Sequence, residues 1–239
     1  MDVENGFKNY INDMKELKSG TIAIGGTNLF ASYVLPPLLS RFTEQYPQVQ
    51  VNLVEATTSQ LTDRLFSGSL DLLIDNKSMD PAIYQKSFFC EEHLLLAVPI
   101  RLSVNEKMKN YALTASDIRE NRHLNSRIPP VPLENFQDES FLLLKSGNDT
   151  RTRADRICHN AHVIPKIKLE LDQQITAYNL SRYGMGISFC SDTLVRHVPD
   201  DEGLVYYKLN HQDALREVNF YYKRNRYMPR IVSTFLDMI

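Results

Sequence analysis

Small polar side chains follow two short apolar segments in the first third of the chain, at positions that suit ligand binding. They are Thr27 and Asn28 after Thr21–Ile24 and a Gly-Gly turn, and Thr57 and Thr58 after Val49–Val54. Hydroxyl and amide groups at the start of a helix cap its free amides, and they can also hold a small anion there. The pattern favours binding over catalysis, and it leaves open whether Thr27 and Thr57 contact a ligand or only cap helices.

A second group of such residues occurs in the later half of the chain. Ser146, Gly147 and Asn148 follow the apolar run Phe141–Leu144, and Gln173 stands at the start of a later helix. Serine, glycine and asparagine also form ordinary turns, so a purely structural turn is the alternative. We include Gln173 because its helix is expected to start at the same edge of the sheet.

The chain lacks the sequence motifs of the common catalytic and nucleotide sites. Gly25-Gly26 has neither the GxGxxG spacing nor a following GK[ST], and GxSxG and HExxH are missing. Cys158, His159 and His162 suggest a metal site, but Cys158 lies on the apolar stripe of a helix and His159 points to another face. We therefore predict no catalytic residue, no metal ligand and no cofactor.

Composition narrows the class of protein further. The 239 residues carry a net charge of -2 and a sequence pI of about 6.3, so the chain has no overall positive field for nucleic acid. The basic cluster Lys223–Tyr227 is interpreted as a solvated edge. No apolar run approaches the roughly 18 residues of a membrane helix, and the N-terminus lacks the apolar core of a signal peptide. An odd set of three cysteines indicates reduced thiols, and we predict a cytoplasmic protein.

Strand and helix patterns alternate along the chain. Periodicity predicts a helix in the first twenty residues, either a connector from a longer protein or a decorative element. From Thr21 to Ile74 the pattern is strand, helix, strand, helix, strand, which predicts a parallel sheet. Residues 100–138 are loop-rich, and a second α/β unit starts at Ser140. In such sheets ligands bind outside the carboxyl ends of the strands.

Several short segments together resemble the effector-binding domain of LysR-type transcriptional regulators. These segments are Gly20–Gly25, Leu35–Pro36 with Leu39 and Phe42, Tyr46–Val49, Gly68–Ile74, Ser146–Gly147, Cys158 before Pro165, and Arg182–Ile187. Each alone is a weak signal, but their order and spacing are fairly specific, and the resemblance runs from Gly20 to Ile239.

The resemblance implies an α/β fold of two Rossmann-like lobes with a central cleft, like that of type 2 periplasmic binding proteins. The chain would cross twice between the lobes. Residues 20–97 and 217–239 would form lobe I and residues 98–216 lobe II. Residues 1–19 would be the end of a linker helix, preceded in the family by a winged helix-turn-helix that is not in this sequence. The effector-binding positions of the family match Thr27, Asn28, Thr57, Thr58, Ser146, Gly147 and Asn148.

The implied function is effector sensing. A small polar, anionic metabolite would bind between the lobes, and the signal would reach DNA-binding domains through oligomer packing. The family suggests a homodimer that pairs the Leu35–Tyr46 helix with the Thr150–Ala161 helix, and tetramers of the full-length protein. DNA would be contacted only through the N-terminal domain, and no membrane would be involved. The alternatives are a solute-binding protein of a transporter and an enzyme on the same scaffold.

Overall fold

The chain divides into two compact units in the computed structural model, which describes residues 20–199 and 202–239. One unit holds the described residues up to Cys90 together with Glu217–Ile239, and the other holds Glu91–Arg216. The chain therefore crosses between the units twice, as the resemblance implies. The helix predicted in the first twenty residues lies outside the described part of the chain.

The described helices and strands alternate along the chain. Up to the first crossing they are β1 (Gly20–Gly26), α1 (Leu35–Gln45), β2 (Val49–Glu55), α2 (Thr58–Ser67), β3 (Leu72–Asp75) and β4 (Tyr84–Pro99). Next come α3 (Val104–Lys107), α4 (Ala115–Arg119), β5 (Ser140–Leu144), α5 (Asp149–Asn160), β6 (Lys166–Leu171) and α6 (Gln174–Arg182). The last are β7 (Ile187–Ser191), α7 (Asp192–His197), β8 (Leu204–Lys208), β9 (Leu215–Lys223) and α8 (Arg230–Met238). Turns of 3-10 helix lie at Lys109–Tyr111, Arg122–Leu124, Leu133–Phe136 and Gln212–Ala214.

The first unit contains the parallel sheet that the sequence predicts. Strand β1 lies between β2 and β3 and runs parallel to both, so Gly26 pairs with Glu55 on one side and Ile74 on the other. Strand β9 pairs antiparallel with β3. Alternate strand residues point into a core that α1 and α8 cover. Its fully buried members include Ile22, Ile24, Leu35, Phe42, Leu72, Ile74, Phe220 and Phe235.

The second unit has a mixed sheet. Strand β5 pairs parallel with β6 and β7, and β4 pairs antiparallel with β7 and β8. Because β5, β6 and β7 run parallel, this unit also has a sheet edge at which strands end and helices begin, like that of the first unit. Its core contains Leu94, Leu96, Val98, Phe136, Phe141, Leu143, Ile157, Ile187 and Phe189.

A π-helical segment, Phe30–Val34, precedes α1 and explains two prolines inside the helical stretch. The amide of Leu35 bonds to the carbonyl of Phe30, one residue further back than in an α-helix. Pro36 and Pro37 follow in the first turn of α1, where a missing N–H is tolerated. Prolines in a helical pattern predict a helix start or a kink, and the structure has them at a helix start.

Two strands differ from what the apolar runs alone predict. The runs Phe88–Phe89 and Leu94–Val98 predict separate strands, but they belong to one continuous strand, β4, which carries the chain out of the first unit. The run Val163–Leu171 predicts a strand from Val163, but β6 begins only at Lys166, because Pro165 has no N–H for a sheet ladder. Residues 100–138 are loop-rich with short helices, as predicted. Among the described residues, no helix combines the length and the apolar character needed to cross a membrane.

Gly186 should be intolerant of a side chain. A Cβ atom there would lie 2.7 Å from the backbone oxygen of Ser140, at the start of β5. We expect Gly186→Ala to lower the free energy of unfolding by about 1–3 kcal/mol, the usual cost of overpacking. Gly20→Ala is the matched control, since a Cβ there meets only Ile231 at an ordinary 3.4 Å. Urea titration measures the free energy of unfolding of both variants. Equal stabilities would contradict the predicted clash between a Cβ at position 186 and Ser140.

None of the three cysteines forms a disulfide, and their thiols should differ in reactivity. Cys158 and Cys190 are buried and Cys90 is half-buried. Burial raises the pKa of Cys158 to about 12, and it also raises the pKa of Cys190. At about pH 8 only about one Cys158 in ten thousand is then a thiolate. We expect a chromogenic disulfide reagent to modify Cys90 in the native protein and all three thiols after denaturation. Rapid modification of a second native thiol would contradict this.

Candidate functional site

Four of the predicted site residues lie at one edge of the first unit's sheet. Because β1, β2 and β3 are parallel and in register, their carboxyl ends meet where Gly26 is flanked by Glu55 and Ile74. Thr27 and Asn28 leave the central strand at this edge, and Thr57 and Thr58 follow the strand beside it.

Two of these side chains are bonded to acids at the ends of the strands. The Nδ2 group of Asn28 donates to Oε1 of Glu55 at 2.9 Å, and the hydroxyl of Thr58 donates to Oδ2 of Asp75 at 2.8 Å. Asp75 is buried, and its other oxygen accepts the backbone N–H of Lys77 at 2.8 Å. Asn28 stands where its side chain could cap the first helix, but it makes no such bond. It connects β1 to β2 instead.

Thr57 and Thr27 differ in how far their hydroxyl groups are already used. Thr57 is the N-cap of α2 and forms a capping box with Gln60. Its hydroxyl therefore caps the helix, which was the alternative to a ligand contact. Among the described residues, the hydroxyl of Thr27 has no hydrogen-bond partner, while its carbonyl accepts the N–H of Ala31. Of the two threonines, Thr27 is the one whose hydroxyl is available.

The other four predicted residues lie at one edge of the second unit's sheet. Leu144 at the end of β5 pairs with Leu171 at the end of β6, and the backbone N–H of Lys145 donates to the carbonyl of Leu171 at 2.9 Å. The ammonium group of Lys145 pairs with Asp172 at 2.8 Å. The turn of Ser146, Gly147 and Asn148 therefore lies beside Gln173, as the sequence predicts.

Within this second group, Asn148 caps a helix, whereas Ser146, Gly147 and Gln173 are exposed. The side chain of Asn148 caps α5 by accepting the N–H of Thr150 at 2.9 Å. Gly147 has a φ of 91°, a left-handed conformation that favours glycine. Gln173 is the N-cap of α6 without a side-chain capping bond. Neither the hydroxyl of Ser146 nor the amide of Gln173 has a partner within the described residues.

Sequence reasoning missed a buried glutamine next to this edge. Gln174 accepts a hydrogen bond from the hydroxyl of Ser191 at 3.1 Å, and Ser191 caps α7 at the end of β7. The Nε2 group of Gln174 is buried without a partner in the described structure. A buried donor without an acceptor costs about 1–3 kcal/mol. The Gln-Gln pair in the sequence gave no indication of which residue points inward.

A buried arginine fixes the start of α5 and with it the Asn148 turn. Arg216 Nε donates to Glu92 Oε2 at 2.6 Å, and its Nη1 donates to Asp149 Oδ2 and Thr150 Oγ1 at 3.0 Å each. Burial by itself lowers the pKa of the Arg216 guanidinium, but Glu92 and Asp149 more than offset this and raise it. The residues after Asn148 are thus held by a permanent charge.

Comparison with known proteins identifies the family. The family model of the LysR substrate binding domain matches residues 15–239. The chain belongs to the LysR substrate-binding domain family. The resemblance inferred from the sequence and the two-lobed α/β fold are thereby confirmed.

A named relative and two solved structures are similar to this chain, and the structures show the same fold. An uncharacterized HTH-type transcriptional regulator of Bacillus subtilis, YcgK, is 24% identical over 240 residues, covering 99% of this chain and 72% of that protein. The regulatory domain of CcmR from Synechocystis, solved in complex with 2-PG, superimposes with a TM-score of 0.75 at 20% identity and covers 92% of this chain and 95% of that one. The effector binding domain of QuiR, solved with shikimate, gives 0.70 at 15% identity and covers 92% and 95%.

The structural role of Asn148 can be separated from any ligand contact by measuring stability without ligand. We expect Asn148→Ala to lower the free energy of unfolding by about 1 kcal/mol, because α5 loses its capping acceptor. Ser146→Ala is the control, since its exposed hydroxyl has no partner in the described structure, and it should be neutral. Urea titration compares the two. A neutral Asn148→Ala would show that the cap contributes nothing.

Proposed function

We propose that this chain is the effector-sensing domain of a LysR-type transcriptional regulator and that it binds a small polar, anionic metabolite. The observation that carries the proposal is the pair of sheet edges at which hydroxyl and amide groups remain available. Thr27, Ser146 and Gln173 have side chains without partners among the described residues, each directly after the carboxyl end of a parallel strand. That is the position where open α/β sheets bind ligands.

Two features support an anionic effector. Helices α2 and α5 begin at these edges, and the first amides of a helix favour negative charge. Shikimate, with which the QuiR domain was solved, is a carboxylate. That the metabolite lies between the lobes is a prediction from the family resemblance alone.

Binding without catalysis is part of the proposal. General acid–base catalysis needs a titratable group within reach of the substrate. The acids at the first sheet edge are bonded to Asn28 and Thr58, and the candidate contacts Thr27, Ser146 and Gln173 do not titrate near neutral pH. Of the rival functions, transport is disfavoured because the relatives are named as transcriptional regulators.

We further propose that the regulator acts in the cytoplasm as an oligomer. The family resemblance suggests a homodimer that pairs α1 with α5, tetramers of the full-length protein, and DNA contacts through a winged helix-turn-helix outside this sequence. Effector binding would shift the packing only by the difference in its affinity for the two arrangements.

Calorimetry with a panel of organic acids, phosphorylated acids and amino acids tests the binding proposal. For a ligand that binds the wild type, Thr27→Ala and Ser146→Ala should each lose about 1.5–3 kcal/mol, the contribution of one hydrogen bond to a charged group. This is a weakening of Kd by roughly ten- to 150-fold.

The control for both variants is Ser126→Ala. Ser126 is exposed in the loop after Arg122–Leu124, does not follow a strand, and has no partner among the described residues. It should bind like the wild type. Wild-type affinity in both Thr27→Ala and Ser146→Ala would disprove the site assignment, and turnover of the bound ligand would disprove the absence of catalysis.

A further inference from the structure

Two histidines and an aspartate meet inside the second unit, apart from the residues assigned to the effector. His93 comes from β4, His123 from the 3-10 turn Arg122–Leu124, and Asp192 is the first residue of α7. Imidazole and carboxylate groups are the ligands that Zn²⁺ and related divalent ions prefer in proteins. Within the described residues this is the one group of histidine, cysteine and acidic side chains with ligating atoms close enough for a metal ion.

The distances fit a tetrahedral metal. The Nε2 atom of His123 lies 3.0 Å from Oδ2 of Asp192, and the Nδ1 atom of His93 lies 3.5 Å from the same oxygen. One ligating atom from each residue lies within 4.8 Å of the other two. In a tetrahedral site with bonds of about 2.0–2.1 Å, neighbouring ligand atoms are about 3.3–3.4 Å apart. Small side-chain rotations therefore suffice to close the site.

The carboxylate of Asp192 is oriented toward the two imidazoles. Its Oδ1 accepts the backbone N–H groups of His93 and Thr193, both at 2.9 Å, so Oδ2 faces the imidazoles.

Each of the two imidazoles has a ring nitrogen without a hydrogen bond in the described structure. Nδ1 of His93 is buried without a hydrogen bond within the described structure, although the side chain as a whole is 30% exposed. His123 is buried, and its Nδ1 likewise has no partner there. An unpartnered buried nitrogen such as Nδ1 of His93 is unfavourable in a purely structural cluster. A metal ion would bind Nδ1 of His93 directly and would require the proton of His123 to move from Nε2 to Nδ1.

One cation competes for the same position. The Nη2 group of Arg196 lies 3.3 Å from Oδ2 of Asp192 and 3.5 Å from Nε2 of His123. Its side chain is 29% exposed and it is on the short helix α7, so it can turn toward solvent. Metal binding must displace this guanidinium, and the displacement gives the site a distinctive test.

We propose that His93, His123 and Asp192 bind a divalent transition-metal ion, for which Zn²⁺ is the best match. Three protein ligands leave a fourth position for water or another donor. Binding would join β4, the 3-10 turn and the start of α7 at one point. Because Asp192 follows Ser191, the ion would hold the end of β7 next to Gln174.

The test uses Co²⁺ and Zn²⁺ with the chain stripped of metal by a chelator. We expect one equivalent of Co²⁺ to give the visible absorption of a tetrahedral site, and Zn²⁺ to displace it. His93→Gln should weaken Zn²⁺ binding by about tenfold or more. His159→Gln is the matched control, because His159 is exposed on α5, and it should bind like the wild type. Circular dichroism verifies that each variant is folded.

Arg196→Gln separates a metal site from a structural ion-pair cluster. Removal of the competing cation should tighten Zn²⁺ binding by about tenfold, the size of an outer-shell effect on a metal site. Unchanged or weaker Zn²⁺ binding in folded Arg196→Gln would overturn the proposal. So would the lack of a Co²⁺ spectrum in the wild type, or wild-type affinity in His93→Gln.

Discussion

The buried charge of Arg216 is the constraint on which much of the second unit depends. Its side chain is 1% exposed, and a guanidinium without water must be fully paired. Glu92, Asp149 and Thr150 supply that pairing. Glu92 is on β4 and Arg216 is on β9, the two strands in which the chain crosses between the units. Removal of one partner from such a pair typically costs about 3–5 kcal/mol. This one cluster therefore holds β4, β9 and the start of α5 together.

The two sheet edges divide their polar residues between structure and binding. Thr57 and Asn148 cap helices, and Asn28 and Thr58 satisfy the acids at the ends of the strands. These contacts position the backbone without any ligand. The groups that remain available lie beside them, which is how a rigid arrangement of caps can present a few unpaired hydroxyls and amides to a metabolite.

The histidine cluster and the second sheet edge share the first turn of α7. Ser191 is bonded to Gln174, and the next residue, Asp192, is bonded to His93 and His123. A movement of Asp192 would therefore act through Ser191 on Gln174, which is next to the candidate effector contact Gln173. The ion pair between Arg196 and Asp192 is the weakest contact of this cluster, because the Arg196 side chain is partly exposed and a partly solvated ion pair contributes little.

The sequence by itself determined the alternation of strands and helices, the parallel sheet of the first unit, the polar residues at its carboxyl end and the family. Apolar periodicity and glycine or proline positions report local burial, and this is enough to predict β1 to β3 and their helices. The positions of Thr27 and Ser146 at sheet edges follow from the same pattern, because residues after a parallel strand must lie at the edge of the sheet.

Only the tertiary structure decided which polar side chains meet. Asn28 stands where it could cap its own helix, yet it bonds to Glu55 on the next strand, because register places Gly26 opposite Glu55. Arg216 and Asp192 have the sequence pattern of surface residues, and their partners are 124 residues away in Glu92 and 69 residues away in His123. Local patterns contain no information about contacts at that separation, since these depend on strand pairing and the packing of distant elements.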